Sequence, residues 1–141
     1  GASYLEDITN PILKNQPIKM KRYYALIINN LRINKQKKFA WSSVAYKDIK
    51  KLGLNLAEVR LGPNHLNDIK DFDFIFTLAE MKDHIKGSFR SKTNIDVSLF
   101  AKALGGGGHK AAAAFRLPKM SLEKAEGKVI KIINKVGINR Y

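Results

Sequence analysis

The apolar residues of this chain recur with two spacings, and these separate predicted helices from predicted strands. Apolar positions three and four residues apart predict helices at residues 18–33, 96–104 and 122–136. Alternating positions rich in aromatic and β-branched residues predict strands at residues 39–46, 72–79, 84–91 and 115–117. Two more helices are predicted at residues 48–52 and 54–69, the second interrupted at Gly62-Pro63. Strands clustered between helices predict an α+β fold, a mixed four- or five-stranded sheet with packed helices.

The strands at residues 72–79 and 84–91 are joined by a short polar connection, which predicts an antiparallel hairpin. In the second strand, alternation directs Arg90 away from the core side, on the same face as His84, Lys86 and Ser88. A guanidinium is a planar fork suited to phosphate oxygens, so Arg90 is a candidate ligand residue. Ser91 would add a hydroxyl nearby if the strand bends there.

Four consecutive glycines, Gly105, Gly106, Gly107 and Gly108, precede His109 and an alanine run. Glycine is costly to order, so four in succession favour a sharp bend or close approach to a ligand. The alanines predict a short helix at residues 109–114, whose N-terminus would present free N–H groups to a phosphate or carboxylate. A flexible linker is the alternative. The run does not fit the P-loop pattern, because no Ser or Thr follows Lys110.

Composition sets the size and charge of the protein. A chain of 141 residues, 45% of them hydrophobic, is long enough for one domain with a core. Residues 1–17 contain Pro11 and Pro17 and are predicted to be a linker or recombinant lead-in, with residues 18–141 forming a single domain. Lys and Arg outnumber Asp and Glu by 26 to 12, a formal net charge of +14. This excess favours nucleic acids or nucleotides as partners, although a solvated lysine surface gives the same composition.

Two absences narrow the protein class further. The chain contains no cysteine, which excludes disulfides and thiolate metal sites. No apolar run approaches the roughly 20 residues that span a bilayer, and no signal-peptide pattern is present. A cytoplasmic location without a membrane partner is therefore expected.

The order of these motifs resembles a known family. Ser88-Phe89-Arg90-Ser91, Asp96-Val97-Ser98 and the Gly105-to-His109 run followed by Ala112-Ala113 are similar to the C-terminal substrate-binding domain of the DHH phosphoesterase superfamily. Their spacing is most similar to that of the branch of oligoribonucleases and adenosine 3′,5′-bisphosphate (PAP) phosphatases. The resemblance covers residues 38–115. One difference is Ala114, where the family commonly has a glycine that permits close backbone approach.

The resemblance implies an α+β domain of the DHH-associated type, with a specific set of ligand-binding residues. The residues that it assigns to substrate binding are Arg90, Ser91, Gly105, Gly106, Gly107, Gly108 and His109. Hydrolysis in the superfamily uses metal ions, Mn²⁺ or Mg²⁺, held by an N-terminal domain that contains an Asp-His-His sequence. Here Asp83-His84 is followed by Ile85. We therefore expect this chain to lack catalytic residues and bound cofactors, and to have a DHH catalytic domain as its partner.

The implied ligands are short RNA or DNA oligonucleotides or adenosine bisphosphate. Two alternatives stay open: the substrate domain of a cyclic-dinucleotide phosphodiesterase, and an RNA-binding appendage similar to the C-terminal domain of alanyl-tRNA synthetases. The histidine directly after four glycines and the nearby Phe-Arg-Ser favour the phosphoesterase branch. Whether the chain forms a homodimer is also left open.

Overall fold

A computed structural model describes residues 17–66 and 69–141, apart from the side chain of His65. The predicted lead-in therefore lies, except for Pro17, outside the described residues. The helices are α1 (Ile18–Asn29), α2 (Tyr46–Leu52), α3 (Leu56–Leu61), α4 (Ser98–Ala103) and α5 (Leu122–Val136), with a 3₁₀ turn at Gly62–His65. The strands are β1 (Arg32–Asn34), β2 (Phe39–Val44), β3 (Phe74–Glu80), β4 (His84–Ser91), β5 (Gly107–Gly108) and β6 (Ala112–Pro118).

The six strands form one mixed sheet in the order β1-β2-β3-β4-β6-β5. The β2–β3 pair is parallel, and the other four pairs are antiparallel. The α+β class and the mixed sheet with packed helices are confirmed, and so is the β3–β4 hairpin. The strand count is slightly higher than predicted, because β1 and β5 have only three and two residues and carry little alternation.

Alternation along the strands divides the core into two layers, one on each face of the sheet. On the first face, phenylalanines from β2, β3, β4 and β6 pack under α4 and α5. On the second face, Ala40, Ile75 and Ala79 pack with α1, α2 and α3. The second layer draws its buried residues from β2 and β3 but none from β4 or β6 among the described residues. The helices therefore leave the β4–β6 half of that face uncovered.

The prediction of a helix at residues 109–114 is wrong, because this segment is a turn followed by the first residues of strand β6. Alanine favours helix, but tertiary pairing overrides a propensity worth less than about 1 kcal/mol per residue. β6 pairs with β4 along its whole length, and Ala113 and Phe115 alternate into the first core. Here packing, rather than intrinsic propensity, selects the strand.

The break predicted at Gly62-Pro63 is where α3 passes into the 3₁₀ turn. A Cβ on Gly62 would lie 2.7 Å from the side chains of Ile27 and Tyr23, so only glycine lets the turn pack this closely on α1. Asn55 and Glu58 form a capping box at the start of α3. These contacts fix Arg60 and Asn64 beside the uncovered half of the sheet. No helix in the described part of the chain is long and apolar enough to cross a membrane.

Candidate anion-binding site

The uncovered half of the second sheet face carries three rows of side chains, set by the strand register. One row contains Lys86 of β4 opposite Arg116 of β6. The next contains Thr77, Ser88, Ala114 and Gly107, from β3, β4, β6 and β5. The third contains Arg90 opposite Ala112, which in turn exchanges backbone hydrogen bonds with His109. We call these the Lys86 row, the Ser88 row and the Arg90 row, and together they form the basic face.

Positive charge gathers on and beside this face at Lys86, Arg90 and Arg60. Burial lowers the pKa of Lys86, and the neighbouring positive charges of Arg60 and Arg90 lower it further. Burial also lowers the pKa of Arg90. Within the described part of the chain, no Asp or Glu forms an ion pair with any of these three residues. Partly buried cations that repel one another would be stabilised by a bound anion.

The guanidinium of Arg90 is held in a fixed orientation. Its Nε and Nη2 donate to Asn64 Oδ1 at 3.3 and 3.1 Å, and its Nη1 donates to the carbonyl oxygen of Phe89 at 2.9 Å. A guanidinium has five N–H donors, so two remain for a ligand. Because Asn64 belongs to the 3₁₀ turn packed on α1, the orientation of Arg90 depends on the helical layer.

A cleft of about 260 Å³ opens on the same face, around the Lys86 row. Arg60, Lys86 and Arg116 line it with charge. The remaining lining is small or backbone-rich, and comes from Gly105, Gly106, Ala114 and Phe115. A cleft with cations on its walls and little side-chain bulk on its floor suits an anionic group that approaches the backbone closely.

Gly105 and Gly106 of the glycine run line this cleft, but most backbone N–H groups of the run already donate hydrogen bonds to other residues of the protein. Gly105 has φ +84° and ends α4, and its N–H donates to Lys102 O at 3.0 Å. The N–H of Gly106 donates to Ala101 O at 2.8 Å, which completes a Schellman C-cap. Gly107 and Gly108 form β5, and the N–H of His109 donates to Ala112 O at 2.7 Å. The predicted row of free amides at a helix N-terminus is therefore not formed.

Close backbone packing explains two of the glycines better than a ligand does. A Cβ on Gly106 would lie 2.1 Å from Ala114 O, and one on Gly108 would lie 2.5 Å from Ala113 Cα. β5 can therefore reach β6 only with glycine at these two positions. Gly105 and Gly106 still line the cleft, so their part in ligand binding stays a prediction.

His109 lies at the end of the Arg90 row and is exposed. His109 directly follows β5 at the turn into β6, and Ala112, with which it exchanges backbone hydrogen bonds, is in register with Arg90. Two strand spacings separate the two backbones, or about 10 Å, a gap that both side chains can span from opposite sides of one phosphate. That Arg90 and His109 bind one phosphate together stays a prediction.

Ser91 is not on this face. It follows Arg90 on β4, so its side chain points to the opposite side, where it is 8% exposed. Its hydroxyl donates to Thr93 O at 3.1 Å and its N–H donates to Ala111 O at 2.8 Å. The expected bend that would bring the Ser91 hydroxyl toward a ligand is absent, because β4 continues in register through Ser91.

The sequence did not single out Arg60, Asn64 or Arg116 as site residues. Arg116 stands between Phe115 and Leu117, so the alternation of the last strand was the available signal. Arg60 and Asn64 flank the break at Gly62-Pro63, and no sequence pattern connects that break with β4. Among the described residues, no group of three or more His, Asp or Glu side chains is arranged to hold a metal ion.

Comparison with known proteins agrees with this architecture. A family model described as the DHHA1 domain matches residues 39–136, well over half of the chain. An exopolyphosphatase-related protein from Bacteroides fragilis has a TM-score of 0.76 at 20% identity, over 93% of this chain and 37% of that one. The pGpG-specific phosphodiesterase PggH from Vibrio cholerae has a TM-score of 0.53 at 11% identity, over 84% of this chain and 40% of that one. At such identities the likeness concerns the fold alone.

The C-Ala domain of Aquifex aeolicus alanyl-tRNA synthetase matches at a TM-score of 0.47 and 14% identity, over 70% of this chain and 90% of that one. That score is too low to support a functional comparison. No curated protein sequence matches significantly. The chain spans less than half the length of the first two structures. Because the matched segment 39–136 contains the whole of β2 to β6 and the glycine run, this chain belongs to the DHHA1 domain family.

Proposed function

We propose that this chain is the substrate-binding domain of a two-domain, metal-dependent phosphoesterase of the DHH superfamily, and that the basic face holds a nucleotide phosphate. The observation that carries the proposal is the positive charge of Arg60, Lys86 and Arg90 beside a cleft, with which no described Asp or Glu forms an ion pair. Lys86 and Arg90 are partly buried, so this charge is costly to an unliganded domain. A phosphate would remove that cost.

Each group has a distinct part in this proposal. Arg90 offers two oriented N–H donors to phosphate oxygens, with Asn64 holding the guanidinium in place. His109 closes on the same phosphate from the β5–β6 side, while Lys86 and Arg116 bind a further anionic group at the cleft. These groups orient the ester but include no nucleophile or metal centre. The chemistry would come from metal ions, Mn²⁺ or Mg²⁺, in the DHH catalytic domain.

For the substrate, we propose a short oligonucleotide or adenosine 3′,5′-bisphosphate. A cyclic dinucleotide is the nearest alternative. The names of two structural relatives, a pGpG-specific phosphodiesterase and an exopolyphosphatase-related protein, support phosphate-ester or polyphosphate chemistry in general. The small cleft, about 260 Å³, favours one or two nucleotides over a long duplex.

Calorimetric titration of the 141-residue chain with 5′-phosphorylated diadenylate, adenosine 3′,5′-bisphosphate and a cyclic dinucleotide tests the proposal. Arg90→Ala and His109→Ala should each weaken binding of the true ligand about 10- to 150-fold, the equivalent of a charge-assisted hydrogen bond of about 1.5–3 kcal/mol. The matched control is Arg32→Ala, an exposed arginine on β1 at the other edge of the sheet.

Three results would count against the proposal. If Arg32→Ala weakens binding as much as Arg90→Ala, the attraction is general electrostatics rather than a site. If no small ligand binds but a tRNA-sized RNA does, and Arg90→Ala leaves that affinity unchanged, the chain is an RNA-binding appendage. Sustained metal-dependent hydrolysis by the chain alone would contradict the division into binding and catalytic domains.

A further inference from the structure

Two buried hydroxyls on the basic face have no hydrogen-bond partner among the residues that the structure describes. Five polar side chains are less than 9% exposed among the described residues, and all of them are Ser or Thr. The hydroxyls of three of these, Ser42, Ser91 and Ser98, bond to Ile27 O, Thr93 O and the Asp96 carboxylate. Thr77 and Ser88, at 8% and 7% exposed, bond to nothing in the described part of the chain. Neither oxygen is completely enclosed, so each keeps some contact with solvent.

These two hydroxyls are cross-strand neighbours at the centre of the basic face. Thr77 of β3 is in register with Ser88 of β4, and Ser88 is in register with Ala114 of β6. The Lys86 row and the Arg90 row flank this pair, each about 7 Å away along the strand, since two residues of antiparallel strand rise about that far. The Ser88 row also carries the smallest side chains of the face, ending in Ala114 and Gly107. A neutral, hydroxyl-bearing floor thus lies between two cationic rows.

From this arrangement we infer that Thr77 and Ser88 bind the ribose of the substrate and make the site prefer ribonucleotides over deoxyribonucleotides. The inference rests on the proposed function. A sugar adjoins every phosphate of a nucleotide, so a phosphate held by either cationic row leaves its sugar over the central row. A 2′-hydroxyl donates and accepts, as do Ser and Thr hydroxyls, whereas a deoxyribose offers no partner there.

The experiment compares 5′-phosphorylated diadenylate with its deoxy counterpart, by calorimetric titration of the full chain and of Ser88→Ala and Thr77→Val. Wild type should bind the ribonucleotide about two- to twelvefold more tightly, the range for one net hydrogen bond. Each substitution should bring that ratio toward one while leaving the deoxy affinity unchanged. Since no intramolecular hydrogen bond is lost, the melting temperature should not fall in Ser88→Ala.

The matched control is Ser42→Ala, a buried serine of the same sheet whose hydroxyl already has a partner. It should melt at a lower temperature but keep the ribose preference. Equal binding of both dinucleotides by wild type, or a ratio unchanged in both variants, overturns the inference while leaving the proposed function standing. A Ser88→Ala protein that melts well below wild type would assign the hydroxyl a structural role and also overturn it. If neither dinucleotide binds, the proposed function fails and the inference fails with it.

Discussion

Alanine substitutions along the glycine run distinguish a structural role of these residues from a ligand-binding one. An added Cβ at Gly106 would lie 2.1 Å from Ala114 O and 2.7 Å from Phe115 Cα, both backbone atoms of β6. At Gly107 it would meet nothing within 4 Å. At Gly105 it would also be free of contacts, but φ is +84°, a conformation that alanine adopts at a cost. The three adjacent sites therefore separate three effects: backbone strain at Gly105, steric clash at Gly106 and open space at Gly107.

The expected effects follow from these three situations. Overpacking against atoms that cannot move aside costs about 1–3 kcal/mol, and because both contacts are backbone we expect Gly106→Ala near the upper end. Gly105→Ala should cost about 1–2 kcal/mol from the left-handed conformation. Gly107→Ala should be neutral or stabilise by up to about 1 kcal/mol, because alanine restricts the unfolded chain. The predicted order of stability is therefore Gly107→Ala, then Gly105→Ala, then Gly106→Ala.

Thermal and urea denaturation of the three variants measure this order. In a domain of this size about 1 kcal/mol moves the melting temperature by roughly 3–4 °C, so Gly106→Ala should melt close to 10 °C below wild type. The reasoning is refuted if Gly106→Ala is as stable as wild type, or if Gly107→Ala is destabilised equally. If all three variants keep wild-type stability but lose nucleotide binding, the glycine run has a ligand-binding role instead of a structural one.

Two further predictions concern the cations of the basic face. Lys86→Gln should stabilise the domain at neutral pH while weakening phosphate binding, since burial and the charges of Arg60 and Arg90 lower the pKa of Lys86. At pH values between that lowered pKa and the ordinary pKa of lysine, the unfolded chain binds more protons than the folded chain, so the stability of the wild type should rise with pH. The stability advantage of Lys86→Gln should therefore disappear over this range. Denaturation of both proteins at several alkaline pH values checks this. Asn64→Ala should weaken nucleotide binding about two- to twelvefold, because it removes the hydrogen bonds that Asn64 accepts from Arg90. The control is Asn29→Ala, at an exposed asparagine, which should not weaken binding. Titration of both variants measures the difference.

Much of the fold could be predicted from the local pattern of apolar residues, because a long alternating segment is compatible with a strand and a long amphipathic segment with a helix. The aromatic strand at residues 72–79 and the C-terminal helix were predicted within two residues of β3 and α5. The first helix was predicted to run four residues too far, because Leu31 continues the helical spacing of Ile27 although the helix ends at Asn29 and β1 begins at Arg32. β5 was missed because two glycines carry no side-chain pattern. Such elements are fixed by their neighbours rather than by their own residues.

The site was predictable only where it coincides with one strand. Arg90 and its face followed from alternation in β4, and the resemblance added His109. Arg60, Asn64 and Arg116 come from three other segments, and their proximity to Arg90 depends on how the 3₁₀ turn and β6 meet β4. The error at residues 109–114 had a similar origin, since only pairing with β4 distinguishes an alanine strand from an alanine helix.

The charges on the basic face connect the stability of the domain with its proposed activity. The α1–α3 layer reaches β4 through the contact of Asn64 with Arg90, and no described carboxylate forms an ion pair with Arg60, Lys86 or Arg90. Repulsion between Lys86, Arg60 and Arg90 disfavours the unliganded fold, and the phosphate of the proposed ligand would offset it. A ligand that binds only the folded domain also stabilises it by mass action, about 2.7 kcal/mol at a hundred times its Kd. The residues that make the isolated domain less stable are thus those to which the proposed function assigns nucleotide binding.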